Sequence, residues 1–180
     1  RMAGDQARSV LAVDVGGSHV KARLTGESDR RRFDSGPDLT PEQMVEGVLE
    51  HTRDWEPTGV SVGVPAPVQD GRVTREPVNL GAGWIDFDYE SAFGKPTKVI
   101  NDAAMQALGS YQGGRMLFLG LGTGLGSTMI LDGVLAPMEL GHLPYRKLTF
   151  EDYVGVAGRK RLGQKKWEQA VKDVIARLIA

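Results

Sequence analysis

Two glycine-rich segments, Asp14-Val15-Gly16-Gly17-Ser18 and Gly122-Thr123-Gly124-Leu125-Gly126, carry residue types that can surround a phosphate. Each follows an apolar run, Val10-Leu11-Ala12-Val13 and Met116-Leu117-Phe118-Leu119, and each precedes a second strand pattern. Glycine at such a bend accepts positive φ and lets a ligand approach backbone N–H groups with no Cβ in the way. Asp14 sets a carboxylate beside the first bend, where a phosphate-bound Mg²⁺ can be held through water. Thr123 adds a hydroxyl donor to the second. Either segment alone reads as a tight hairpin. The pair, with Asn101-Asp102 between them in the chain, points to phosphate chemistry.

Positioning these residues takes a core, and 180 residues with 41% hydrophobic and 25% charged side chains can build one. A net charge of −1 gives no reason to expect nucleic acid or an anionic membrane as a partner. No apolar stretch approaches membrane-spanning length. The absence of cysteine excludes disulfides and cysteine-ligated zinc and fits a cytoplasmic protein. Residues 1–6 are polar and short, with Met2 reading as the natural start, so no signal peptide is expected, nor a helix-turn-helix within the eight residues ahead of the first strand.

The patterning predicts strands over residues 9–15, 19–24 and 31–34, then a helix over 41–54. Thr40 is its N-cap, Pro41 its first residue and Gln43 the closing member of a capping box. Met44, Val45, Val48 and Leu49 form its apolar stripe. A strand over 60–64 ends at Pro65-Ala66-Pro67, and a turn falls at Asp70-Gly71 in an irregular stretch. A helix over 86–93 leads to a strand over 97–100. Asp102 opens a further helix closed by Gly109. A carboxylate just past a strand end can accept a proton from an attacking hydroxyl, and it can equally cap the helix. Tyr111-Gln112-Gly113-Gly114 reads as a hinge between a unit of residues 1–112 and a second of 113–180. There the strand–glycine–strand theme returns, with a turn at Asp132-Gly133. A last helix over 165–180 sets Trp167, Ala170, Val171, Val174, Ile175, Leu178 and Ile179 on one face. It ends without a glycine stop, from which an incomplete second unit is expected.

Six blocks in order resemble the ROK family (repressor, open reading frame, kinase), and within it glucokinases, including the polyphosphate-using type. They are Asp14-Val15-Gly16-Gly17-Ser18, Gly63-Val64-Pro65-Ala66-Pro67, Asn79-Leu80-Gly81-Ala82-Gly83-Trp84, Ile100-Asn101-Asp102-Ala103-Ala104, Gly122-Thr123-Gly124-Leu125-Gly126 and Glu139-Leu140-Gly141-His142. The resemblance implies an actin-like, ribonuclease-H-like α/β fold of two domains with a cleft between them. It also implies a kinase that moves a phosphoryl group from ATP or polyphosphate to the primary hydroxyl of glucose. Asp102 would be the base, and Asn79, Asn101, Asp102, Glu139, His142 and Glu151 the sugar contacts. Gly16, Gly17, Ser18, Gly122, Thr123, Gly124 and Gly126 would hold the donor phosphates, with Asp14 near Mg²⁺. Family members are often dimers, so a homodimer is implied as well.

Two features depart from the family: the zinc motif is missing, and the strand and glycine-rich turn expected after a helix like that over 165–180 do not follow. The Cys-rich zinc motif is replaced by Pro144-Tyr145-Arg146-Lys147, so no structural zinc is expected. The loss of that motif also leaves two readings of Glu151, a sugar contact or a first-turn helix acid. Lys21 sits on a strand and reads equally as donor-facing or solvent-facing. His19 and His51 read as structural or exposed. Rival functions are a sugar-sensing protein without catalysis and a kinase for fructose, mannose or an N-acetylated hexosamine.

Overall fold

The computed structural model describes residues 9–179, so the expectations about residues 1–8 and Ala180 lie outside the described residues. The chain forms two compact units, one up to Met105 and one from Gln106.

The first unit begins with β1 (Val10–Val15), β2 (His19–Leu24) and β3 (Arg31–Asp34), which pair antiparallel in succession. α1 (Pro41–His51) follows, then β4 (Gly59–Val64), a hairpin of β5 (Val68–Gln69) and β6 (Arg72–Val73), α2 (Tyr89–Phe93), β7 (Thr97–Asn101) and α3 (Asp102–Ser110). The main sheet runs β3-β2-β1-β4-β7, with β4 and β7 parallel to β1. Alternation in β1 sends Leu11, Val13 and Val15 inward, opposite Leu24, Ala22 and Val20 of β2. Met44, Val45 and Val48 of α1 bury into the same core.

Local chemistry explains the ends of these elements. Thr40 and Gln43 close the expected capping box reciprocally, at 3.3 and 3.1 Å. α1 stops at His51 rather than 54: Thr52 leaves helical geometry with φ of −118°, while its N–H and hydroxyl both bond to the Val48 carbonyl and close the last turn. The stripe is narrower than expected: Pro41 joins it, while Leu49 rotates to 44% exposure. Asp70 and Gly71 take φ of 50° and 76°, which suits a two-residue hairpin. α2 starts at Tyr89 rather than 86, capped by Asp88 through the Ser91 N–H. Gly109 lies inside α3; the left-handed glycines are Gly113 and Gly114 just beyond it.

In the second unit β8 (Arg115–Leu121), β9 (Leu125–Leu131) and β10 (Val134–Met138) form an antiparallel meander. It repeats the opening β1–β3 arrangement. A hairpin of β11 (Pro144–Tyr145) and β12 (Leu148–Thr149) leads to α4 (Phe150–Val154), α5 (Val156–Leu162) and α6 (Gln164–Ile179). Leu125, Tyr145, Phe150, Val154 and Val174 are its buried cluster. The predicted stripe on α6 is only half used: Ala170 and Val174 bury, whereas Ile175 and Ile179 stay exposed. Helical spacing marks a face but does not say how much of it finds a partner.

Candidate active site

In the first unit, β1, β4 and β7 are parallel, so their carboxyl ends fall together. Asp14 registers with Gly63, and Gly63 with Ile100. Ligands of α/β sheets bind outside such strand ends. Asp102 is the next residue after β7 and is half-buried. Burial pushes its carboxyl above the usual carboxylate range, the negative Asp14 adds to this, and the Ala103 N–H donated to it opposes both. A carboxylate held more basic than usual is suited to accept a proton.

Asn101 and Asp102 share the capping of α3, both accepting from the Ala103 N–H. The Asn101 Oδ1 accepts from the N–H groups of Ala103 and Ala104 at 2.9 and 3.3 Å, and its Nδ2 donates to the Ala66 carbonyl at 3.2 Å. This ties β7 to the Gly63–Pro67 block and leaves one amide hydrogen for a ligand. Lys21 lies opposite Asp14 on β2, with Nζ 3.5 Å from Asp14 Oδ2. The pairing register brings them together, and that register was not visible in the one-dimensional pattern.

The first glycine bend is held from outside. Gly16 N–H donates to the His19 carbonyl at 3.0 Å, and Ser35 donates from Oγ to Gly16 O and from N to Ser18 O. Asn79 is brought against this bend, where a Cβ on Gly17 would stand 3.3 Å from the Asn79 Cβ. Its own loop is anchored by Glu76, which accepts from the N–H groups of Gly83 and Trp84.

In the second unit the Gly122–Gly124 bend joins β8 to β9, and it packs against the junction of α4 and α5. Val156 N–H donates to Gly122 O at 3.0 Å, and a Cβ on Gly155 would stand 2.5 Å from Thr123 O. The Glu151 carboxylate occupies the space that a Cβ on Gly124 would need. None of Gly16, Gly17, Gly122 or Gly124 has positive φ, contrary to the expectation from sequence. At Gly16, Gly17 and Gly124 the requirement is close approach; at Gly122 the space is open.

Glu139, His142 and Glu151 come together here. His142 Nδ1 is 3.7 Å from Glu139 Oε2, and its Nε2 is 3.6 Å from Glu151 Oε1. Ser127 holds the turn that carries the first two, donating to Met138 O at 2.9 Å and accepting from Leu140 N–H at 3.1 Å. Two carboxylates and an imidazole can accept from and donate to several neighbouring hydroxyls. Of the other predicted positions in this unit, Thr123 is exposed, and Gly126 registers with Gly120 at the foot of the hairpin. Gly155 was missed from sequence, since only its contact with Thr123 reveals it. Among the described residues no helix is long and apolar enough to cross a membrane.

These units have the architecture of an actin-like, ribonuclease-H-like α/β fold, shared with solved sugar kinases. The ROK family profile matches residues 10–160, and the chain belongs to that family. It is 28% identical to an N-acetylmannosamine kinase of Salmonella newport over 86% of this chain, and spans 59% of that relative's length. The crystal structure of an inorganic polyphosphate/ATP-glucomannokinase from Arthrobacter sp. strain KM superposes with a TM-score of 0.77 at 26% identity, over 95% of this chain and 78% of that one. A ROK family glucokinase from Streptomyces griseus, solved with glucose and AMPPNP, shares the fold at a TM-score of 0.67 and 20% identity, over 86% of this chain and 59% of that one.

Proposed function

We propose that the protein is a sugar kinase that transfers a phosphoryl group from ATP or polyphosphate to the primary hydroxyl of glucose. The observation that carries this reading is Asp102, a half-buried carboxyl of raised pKa at the end of β7, beside Asp14 and the first glycine bend. In the proposed step Asp102 takes the hydroxyl proton as the sugar oxygen bonds to the terminal phosphorus and the donor's bridging P–O bond breaks. Asn79 and the free amide hydrogen of Asn101 would contact sugar hydroxyls. Glu139, His142 and Glu151 carry groups suited to ring hydroxyls as well. The N–H groups of Gly17, Ser18, Thr123, Gly124 and Gly126 would bind donor phosphates, whereas those of Gly16 and Gly122 are already donated to His19 O and Gly124 O and shape the two bends.

The Asp14 carboxylate, partly exposed at the end of β1 beside the first glycine bend, offers oxygen ligands that fit Mg²⁺ bound through water. Bound there, Mg²⁺ would offset the charge of the donor phosphates. Cytoplasmic location and a homodimer belong to the same proposal; the cysteine-free composition supports the first.

A second acceptor, an N-acetylated hexosamine, is favoured by the identity with the N-acetylmannosamine kinase. The glucomannokinase likeness favours glucose or mannose and a polyphosphate donor. The deciding experiment measures Mg²⁺-dependent phosphorylation of glucose, mannose and N-acetylmannosamine with ATP and with polyphosphate, alongside Asp102→Asn. Turnover lost in the variant with sugar binding retained supports the kinase. Sugar binding without turnover in the parent chain supports the non-catalytic sensor instead.

A further inference from the structure

The net charge of −1 hides a strong asymmetry. Residues 1–105 carry 12 Lys and Arg against 17 Asp and Glu, whereas residues 106–180 carry 10 against 6. Within the second unit, three of these cations are ordered into a row by aromatic rings. Arg161 stacks 5.1 Å from the Tyr153 ring centroid, and Arg146 lies 5.6 Å from the same ring and 4.9 Å from Tyr145. Arg177 lies 5.5 Å from Tyr145, and the two tyrosines meet edge to face at 5.0 Å. Guanidinium over an aromatic face is a stable arrangement that leaves the planar N–H edge free for anions.

Arg146 shows that the row is held at a cost. It sits at the tip of the β11–β12 hairpin with φ of 56°, where glycine, asparagine or aspartate is the usual residue. A long side chain kept in that conformation points to a use for it. Asp173 partly neutralises the row, lying 3.6 Å from Arg146 and 3.2 Å from Arg177. Among the described residues Arg161 has no carboxylate partner; it is anchored to the Asp152 carbonyl at 2.8 Å. α5 links the row to the candidate donor bend: Val156 N–H at its start donates to Gly122 O, and its last turn carries Arg161.

We propose that the Arg161–Arg146–Arg177 row binds a linear phosphate polyanion, the distal part of an inorganic polyphosphate donor. Three guanidiniums gathered around two adjoining tyrosines suit a chain of anionic groups better than one phosphate. Nucleic acid is disfavoured because the tyrosine faces on which bases would stack are already covered by arginine. Naming polyphosphate rests on the kinase reading above.

The test titrates long-chain inorganic polyphosphate onto the full chain at several salt concentrations, with ATP and an RNA oligonucleotide of matched charge as rivals. Arg161→Gln should weaken polyphosphate binding about tenfold and make its salt dependence shallower by about 0.7 in log–log slope. Arg146→Asn should also weaken it about tenfold while the melting temperature stays level or rises, since asparagine relieves the left-handed strain. Lys172→Gln, off the row, removes the same charge and should change binding less than threefold. Equal losses in all three variants, or RNA bound as tightly and lost in parallel, overturn the proposal. Row-dependent binding of polyphosphate that serves as no donor leaves the row standing and removes the donor reading. Polyphosphate-driven turnover whose KM is unmoved by Arg161→Gln and Arg146→Asn does the reverse.

Discussion

In the first unit the candidate carboxylates stand at the ends of parallel strands, backed by Val13, Val15, Val62 and Val64, all fully buried. In the second the candidate residues hang on a hairpin bend, a one-turn helix and the short α4, over a buried cluster of five residues against nineteen in the first. Sheet hydrogen bonds fix Asp14 and the strand end from which Asp102 follows. Close packing of glycines fixes Glu151 and Thr123. The contrast teaches that the same kind of glycine-rich bend can be held in two ways. The second way tolerates fewer atoms, because its glycines touch backbone or functional carboxylates directly.

The largest expected effect tests the first unit. Asp102→Asn should lower turnover by about 10²- to 10⁴-fold, measured at saturating sugar. Its thermal stability should move the other way. A raised carboxyl pKa contributes stability below the ordinary carboxylate range, and that contribution is lost as pH rises through the raised value. The variant should therefore melt above the parent at neutral pH and converge with it in acid; a parent that stays the more stable at neutral pH refutes the buried-charge account.

Gly155→Ala probes the second unit most severely, since the new Cβ would meet the backbone oxygens of Thr123 and Glu151 at 2.5 and 2.9 Å. A loss of about 1–3 kcal/mol is expected by denaturant unfolding. Gly124→Ala sharpens the comparison, because what it meets is the mobile end of the Glu151 side chain. Stability should barely change while sugar affinity, read by calorimetry, drops about tenfold as Glu151 is displaced. A loss of stability equal to that of Gly155→Ala would erase the distinction. The smallest effect belongs to Asn101→Ala, which removes a cap and should cost about 1 kcal/mol.

Signals confined to a few neighbouring residues were legible in the sequence. The Thr40–Gln43 box, the turns at Asp70-Gly71 and Asp132-Gly133, and both strand–glycine–strand units formed where the pattern placed them. Between His142 and Gly163 the sequence singled out Glu151 as a sugar contact or a first-turn helix acid, and it does lie in the first turn of α4. A two-residue hairpin and two helices of five and seven residues are too short to show periodicity. Gly109 looked like a stop because glycine usually ends helices, yet its helix continues one residue further.

What the sequence determined by itself is the set of reactive types and their order along the chain. Six blocks with glycine, aspartate, asparagine, glutamate and histidine at fixed spacings suffice for ROK membership and for nominating Asp102. Tertiary structure alone decided which of them share an environment. Lys21 meets Asp14 through strand register, Asn101 joins Asp102 in capping α3, and Glu151 reaches Gly124 across 27 positions of chain. It also gathered Arg146, Arg161 and Arg177 around two tyrosines. Spacing encodes neighbours along one element. Contacts between elements depend on register and on packing space, which no single segment contains.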